Sequence, residues 1–430
     1  MAADLHSSAL SEDEKRAFVA EATAFLEANA ERRQAAESFT WGRGPEVRLM
    51  GKDDDDPRAL IAEARAWRAK VFDAGFGWIG GPKEYGGGGR HHDLDGIYRS
   101  LESEFDVPDQ SAWGVAWEMV APAILVHGNE DVKQRYLRRI YRGELLCSQL
   151  LSEPGNGSDL AGLRTKAVRD GDEWVVNGQK VWSSYAHLAE LGQLMARTDP
   201  DAPKHKGLTM FLLPMDTPGV EPRPLRQMNG NAEFNEVFLT DVRVPDLYRI
   251  SPAGEGWGAT LTTLSAERFA LSGMRKKRKA SDEILGGKTI EQLIEAARTA
   301  GITANPVIRQ RIATEWSKGK VLALTALRAR ANAAAGRAPG PEGSITKIAK
   351  ASSNQSLQVL AMEVLGATST AWDPSDGEPK DFVEQFLRTR ANSIEGGTSE
   401  IQRNIVGERV LGLPREPDQW LGKPWSAVPR

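Results

Sequence analysis

The chain has 430 residues and a mass of 47.0 kDa, more than one ordinary core absorbs, so two or three subdomains are expected. With 40% apolar and 27% charged residues it cannot be a largely disordered chain. A net charge of −4 argues against nucleic acid or an anionic membrane as the main partner, and a single cysteine excludes both a disulfide framework and a cysteine-built metal site.

Met1 to Arg16 has no basic stretch leading into an apolar run, so no signal peptide is expected. No window approaches the ~18 consecutive apolar residues of a membrane span. A cytoplasmic protein is the expectation. Ser11 followed by Glu14 has capping-box spacing, and Phe18, Val19, Ala22, Phe25 and Leu26 then recur with helical period. Asp53 to Asp56 reads as a solvated turn, followed by a helix around Pro57 to Ala74. The glycine-rich stretch 77–89 lacks the Gly-Lys-Ser/Thr of a phosphate loop and reads as an irregular connector.

The character changes near Cys147, itself read as a small buried hydrophobe. Thr165–Arg169, Glu173–Val176 and Gln179–Ser184 read as strands joined by tight hairpins at Asp170-Gly171 and Asn177-Gly178, where both turn residues must tolerate positive φ. Further strands are predicted at Gln193–Ala196, Leu208–Leu213, Val220–Leu225 and Glu236–Val244. Past Gly254 helical periodicity returns. One apolar stripe (Leu357, Leu360, Ala361, Val364, Leu365) stops at Gly366, and another (Ile401, Ile405, Val406, Val410) at Gly412 and Pro414. Gly336–Gly343 reads as a helix connector. Arg275–Lys279 reads as a solvated basic cluster, with an anion contact as the alternative. The expected plan is α+β: an N-terminal α-helical domain over 1–146, an antiparallel β sandwich or barrel over 147–250, a helical domain over 251–412 and a tail over 413–430.

No metal-ligand spacing appears among the six histidines, and no Gly-x-Ser-x-Gly elbow is present. Three stretches at the domain joints are informative. Gln149 to Asp159 offers the hydroxyls of Ser152 and Ser158 on a glycine-relaxed backbone. Trp182-Ser183-Ser184 sets an aromatic face beside two hydroxyls. Glu395-Gly-Gly-Thr-Ser-Glu400 opens a helix, where free N–H groups favour anionic or electron-rich ligand edges. Together they suggest a flat, polar, phosphate-bearing cofactor between a β domain and a helical domain.

Leu-Ser-Glu-Pro-Gly-Asn-Gly-Ser-Asp (151–159), Val-Asn-Gly-Gln-Lys-Val-Trp-Ser-Ser (176–184) and Gly-Gly-Thr-Ser-Glu-Ile-Gln-Arg-Asn-Ile-Val (396–406) resemble, in order and spacing, the signature segments of the acyl-CoA dehydrogenases. The segment 233–245 and the Tyr-Gly-Gly of 85–87 also match, so the resemblance spans about residues 60–410. It implies a C-terminal four-helix bundle and an FAD cofactor. Gln149, Leu151, Ser152, Gly157 and Ser158 would line the flavin, Trp182 would cover it, and Ser183 and Ser184 would approach its reactive edge. Glu363, Gly366, Ala367, Thr398 and Glu400 would contact FAD, partly across a subunit interface. Ser158, Ser265, Arg268, Gly396 and Gly397 would meet the acyl-CoA.

Two departures stand out. The family's Arg-x-x-Phe-Gly segment is not recognisable, and Arg298 is its nearest counterpart. Many members carry the catalytic glutamate at the position of Gly396, which has no side chain; a minority place it just before an arginine on another helix, as in Leu264-Ser-Ala-Glu-Arg268. That pattern puts Glu267 forward as the general base, at the start of a helix, with Glu395 one residue off register. The Gly396 N–H remains available to stabilise an enolate oxygen. The reading is an FAD-dependent acyl-CoA dehydrogenase forming a trans-2-enoyl-CoA, reoxidised by an electron-transferring flavoprotein and assembled as a homotetramer or as a heterotetramer with a paralogue. A branched or bulky acyl chain is favoured. A flavin oxidase or monooxygenase on the same fold, and a non-catalytic partner subunit, are the alternatives.

Overall fold

The computed structural model describes residues 10–33, 57–271, 290–334, 342–370 and 377–429. Asp53–Asp56, Arg275–Lys279, most of the 336–343 connector and the side chain of Arg268 lie outside the described residues. Of that connector, Glu342 and Gly343 already belong to a helix.

Helices α1 (Glu12–Asn29), α2 (Pro57–Asp73), α3 (Asp93–Glu102), α4 (Ala121–His127) and α5 (Glu130–Arg142) precede the sheet. Ser11 caps α1 as its spacing predicts, its hydroxyl accepting the Glu14 N–H at 3.2 Å. Phe18, Ala22 and Leu26 form the buried face of α1. The 77–89 stretch is an irregular connector, sewn to α3 by the Asp95 carboxylate, which accepts the N–H groups of Ile79 and Gly80. A short two-stranded ribbon pairs β1 (Glu31–Arg32) with β2 (Phe105–Asp106).

Strands β3 (Cys147–Leu150), β4 (Lys166–Asp170), β5 (Glu173–Ser184), β6 (Leu191–Arg197), β7 (Leu208–Pro214), β8 (Val220–Leu225) and β9 (Phe234–Pro245) form one sheet in the order β3-β6-β4-β5-β9-β8, with β7 on β6. The sheet is mixed rather than antiparallel throughout: β3 runs parallel to β6, from Cys147↔Leu191 to Leu150↔Leu194. The long chain between these strands supplies the crossover that a parallel pair needs. The predicted hairpin forms one residue later than its Asp-Gly dipeptide suggests: Asp170 pairs with Glu173, Gly171-Asp172 make the turn, and only Gly171 takes positive φ, +62°. Asn177-Gly178 is not a turn. β5 runs straight through it, and the register against β9 slips between Val176 and Gly178. Asn177 trades two side-chain hydrogen bonds with Asp241, which itself takes the positive φ. Glycine is needed at 178 for close approach, because a Cβ there would lie 2.4 Å from Thr165 Oγ1.

Helices α6 (Gly256–Leu271), α7 (Ile290–Thr299), α8 (Pro306–Ala334), α9 (Glu342–Leu365), α10 (Gly377–Arg388) and α11 (Ser399–Arg409) follow the sheet. The central helix is α9, against which α6, α7, α8, α10 and α11 all pack. Gly366, at φ +60°, stops it as predicted. The α11 stripe behaves differently: Ser399 and Gln402 are its buried residues, while Ile401, Ile405 and Val406 are only half-covered. One apolar cluster runs unbroken from α4 and α5 (Ile124, Leu137) through β3, β6 and β7 (Cys147, Met195, Met210) to Ala259 of α6. The three parts of the chain therefore share a core, and that core fixes α6 against the sheet. No described helix is long and apolar enough to cross a membrane.

Gly178→Ala should separate β4 from β5 and lower the denaturation midpoint, costing about 1–3 kcal/mol as overpacked sites do. Asn177→Ala, which removes only an exposed hydrogen-bonded pair, should cost less; equal midpoints for wild type and Gly178→Ala would contradict the close-approach argument.

Candidate active site

The 151–159 segment is pinned from beneath. Lys180, a β5 side chain with no exposure, donates to the Leu151 carbonyl at 3.1 Å and to the Glu153 carboxylate at 3.0 Å. Glu153 also accepts the N–H groups of Arg164 (2.7 Å) and Thr165 (2.8 Å). Burial alone would raise the Glu153 carboxyl, but Lys180 and these N–H groups hold it below the usual carboxylate range. Burial draws Lys180 down to about 8, against the pull of Glu153, so the pair is ionised at neutral pH. The Val181 N–H donates to the Ser152 carbonyl at 2.9 Å, tying the first stretch to the second.

Just beyond, the β5 register slips again between Lys180 and Ser183, and Trp182 takes φ +61°. A bulky residue there is strained. The bulge leaves the Trp182 indole 59% exposed, edge-on to Phe234 at 5.9 Å. Ser183 turns inward and is fully buried, whereas Ser184 is half-buried. Gln149 Nε2 and Ser183 Oγ are buried without a hydrogen-bond partner among the described residues. Leu151 is buried, Ser152 half-buried, and Gly157 and Ser158 exposed on the loop.

Helix α6 is anchored on two sides. Gln193 of β6 donates to Thr263 Oγ1 at 3.0 Å, and His127 of α4 pairs with Thr262 Oγ1 at 2.7 Å. Glu267 is half-buried in the later turns of α6, not at the start of a helix as the sequence suggested, and Ser265 beside it is exposed. The apolar run before Glu267 is itself helical, which pushes the helix start back to Gly256.

The Gly396-Gly397 turn is held at both of its carbonyls. Both glycines have positive φ, +61° and +85°. Gln402 donates to the Gly396 carbonyl at 3.1 Å and Lys347 of α9 to the Gly397 carbonyl at 2.8 Å. Thr398 Oγ1 caps α11 through the Ile401 N–H. Glu395 is occupied, accepting from Arg388 and from Asn392, each at 2.8 Å. Among the described residues, no acceptor meets the Gly396 N–H. Burial draws the Lys347 ammonium below the usual lysine range, opposed by the carboxylates of Glu395, Glu400 and Glu267. Glu267 and the Gly396-Gly397 turn thus converge on one lysine.

Glu363, Gly366 and Ala367 do not reach this locus. They lie at the other end of α9, with Glu363 about 24 Å from Lys347 along the helix axis. Glu363 pairs there with Arg311. Arg298 ends α7, whose Leu293, Ala296 and Ala297 pack on Leu360, Ala361 and Val364 of the same far end; it is exposed and pairs with Glu295 at 3.2 Å.

Profiles of the acyl-CoA dehydrogenase N-terminal, middle and C-terminal domains match residues 12–144, 148–242 and 254–411. The chain belongs to the acyl-CoA dehydrogenase family. It is 37% identical over 361 residues to acyl-CoA dehydrogenase IpdE1 of Mycobacterium tuberculosis, covering 82% of this chain and 89% of that one. The solved Tcur3481-Tcur3483 steroid ACAD matches with a TM-score of 0.71 at 27% identity, covering 95% of this chain and all of that one. The ChsE4-ChsE5 complex from Mycobacterium tuberculosis matches with a TM-score of 0.67 at 26% identity, covering 95% of this chain and 100% of that chain.

Family membership makes this chain an oxidoreductase of the acyl-CoA dehydrogenase type and implies a flavin. The residues present fit one. Two buried polar atoms lack partners, and Gly155 and Gly157 leave space where a Cβ would meet nothing within 4 Å. Sequence reasoning missed Lys180, Gln193, Lys347 and Arg388. The available signal for Lys180 was its place in the strand alternation, in step with the inward-facing Trp174 and Val176; helical Lys347 gave none.

Lys180→Met should cost about 3–5 kcal/mol, because it strands the buried Glu153 carboxylate, and adding Glu153→Gln should recover part of the loss. The depressed Glu153 pKa makes its contribution present above the unfolded carboxylate pKa and lost as pH falls through the folded value. Denaturation curves of wild type and Glu153→Gln should therefore converge in acid.

Proposed function

We propose that this chain is a cytoplasmic FAD-dependent dehydrogenase that converts an acyl-CoA thioester to its trans-2-enoyl-CoA, with electrons passing to an electron-transferring flavoprotein. The observation that carries the reading is the convergence of Glu267 and the Gly396-Gly397 turn on Lys347, while Glu395 is held by Arg388 and Asn392. FAD, when bound, supplies the hydride acceptor. Gln149, Ser152, Trp182 and Ser184 would hold its ring system, and Thr398 and Glu400 would lie toward its polar chain.

The thioester α-proton is weakly acidic, so its removal needs both a base and a stabilised enolate oxygen. Glu267 takes the α-proton, and the Gly396 N–H donates to the thioester oxygen as charge develops there. Ser158, Ser265, Arg268 and Gly397 line the acyl-CoA path in this reading. The side-chain-free position 396 and the likeness to a steroid ACAD both favour a bulky acyl chain.

Assembly follows from two features. The far end of α9, with Arg298, Glu363, Gly366 and Ala367, is too distant to serve its own chain's site and would serve a neighbour's flavin. Trp316, Val321, Leu324 and Leu327 of α8 are exposed, as are Val410, Leu411 and Leu413. A tetramer would cover these faces, and two heteromeric neighbours favour a paralogue as the other subunit.

Glu267→Gln keeps size and hydrogen bonding but not basicity. It should bind FAD normally and lower the rate of anaerobic flavin reduction by acyl-CoA at least about 100-fold; near-normal reduction would overturn Glu267 as the base. Sedimentation of the flavin-loaded protein, alone and with a co-expressed paralogue, should give a tetramer in one of the two; a stable monomer in both would refute the assembly.

A further inference from the structure

Lys347 is 6% exposed, a burial that a lysine accepts only with a strong partner. Its ammonium points at the carbonyl of Gly397, 2.8 Å away, and not into a carboxylate. Three acidic side chains nevertheless surround it: Glu395 and Glu400 from the two ends of the 395–400 turn, and Glu267 from α6. Glu395 already has Arg388 and Asn392, and Glu400 pairs with Arg403 at 3.0 Å.

The turn needs such a tether. Two successive glycines at positive φ form an easily rearranged stretch of backbone. Two successive peptides are held at their carbonyls: Gln402 takes that of Gly396, in the peptide between the glycines, and Lys347 that of Gly397, in the next one. A Cβ at 397 would lie 2.6 Å from Gln402 Nε2, so the turn is fitted closely against that clamp. Gln402 reaches it from α11, and Lys347 from α9, the helix on which the rest of the bundle packs.

We infer that Lys347 is a positioning residue: it locks the Gly396-Gly397 turn so that the Gly396 N–H faces the substrate oxygen. This inference rests on the roles proposed above for Glu267 and Gly396. Lys347 need not touch substrate. Its tether removes a backbone rotation that would have to be frozen in each turnover.

The test uses full-length, flavin-loaded Lys347→Met and Lys347→Arg, with flavin content and unfolding midpoint measured first. Two readouts follow: amide hydrogen exchange over residues 391–402, and anaerobic flavin reduction as a function of acyl-CoA concentration. In Lys347→Met, exchange in the turn should quicken at least about tenfold. The limiting reduction rate should fall about 10–100-fold, while the half-saturating acyl-CoA concentration moves less than about threefold. Lys347→Arg, which keeps charge and donors, should recover much of both. A Lys347→Met protein with turn exchange and limiting rate unchanged overturns the inference, as does a loss confined to half-saturation. If Lys347→Met does not fold, the milder Lys347→Gln carries the same test, and unchanged turn exchange in it is equally fatal. Glu267→Gln run in parallel separates the two ideas. Loosened turn exchange in Lys347→Met beside a fully active Glu267→Gln sinks the base assignment and leaves the tether standing.

Discussion

The fully buried ion pair of Lys180 with Glu153 is the constraint on which the ligand-facing side of the sheet depends. Taking two charges out of water is costly, and such a pair is weak evidence of stability in itself. What it supplies here is position. Glu153 saturates its two oxygens with Lys180 and the N–H groups of Arg164 and Thr165, while Lys180 reaches on to the Leu151 carbonyl. An irregular loop, a strand start and the middle of β5 are thereby tied at one point. The bulge at Val181-Trp182 begins immediately after it, so the strain at Trp182 is stored next to a rigid anchor.

The same logic governs α6. Its threonines satisfy their hydroxyls within the helix, and one of them also receives Gln193 from the sheet. With His127 gripping Thr262 from α4, the helix carrying Glu267 cannot slide without breaking contacts to both neighbouring parts of the chain. A carboxylate meant to meet one carbon atom needs such support, since an error of an ångström can cost about two orders of magnitude in rate.

How much of this was legible in the sequence depended on whether the signal was local. The Ser11 cap, the hairpin just after Asp170 and the stop at Gly366 were legible because each rests on a few adjacent residues. Asn177-Gly178 misled because the same dipeptide can serve a turn or a close approach, and only Thr165 on the neighbouring strand decides between them. The parallel pairing of β3 with β6 depends on a distant crossover, which no local pattern encodes. In the candidate site, the three signature stretches were legible as irregular or glycine-relaxed segments, and their clamps were not. Lys180, Gln193, Lys347 and Arg388 act through partners 27, 70, 50 and 7 residues away.

Position 396 shows why a catalytic side chain can be absent from a turn whose geometry is still maintained. A turn of this kind offers two separable things, a side chain and an N–H. The positive φ of both glycines, the Gln402 and Lys347 clamps and the Thr398 cap all concern the backbone. None would be needed to carry a carboxylate that is not there. Glu395, at the turn's entry, is drawn away by Arg388 and Asn392. With Glu267 on α6 and the turn tethered to α9, the distance between that carboxylate and the Gly396 N–H is a property of helix packing. Helix α6 is fixed by the shared core, and the turn is fixed by α9, on which α6 also packs. The positions of both groups are thus set by the interior of the molecule, and the turn keeps its backbone conformation with no side chain at 396.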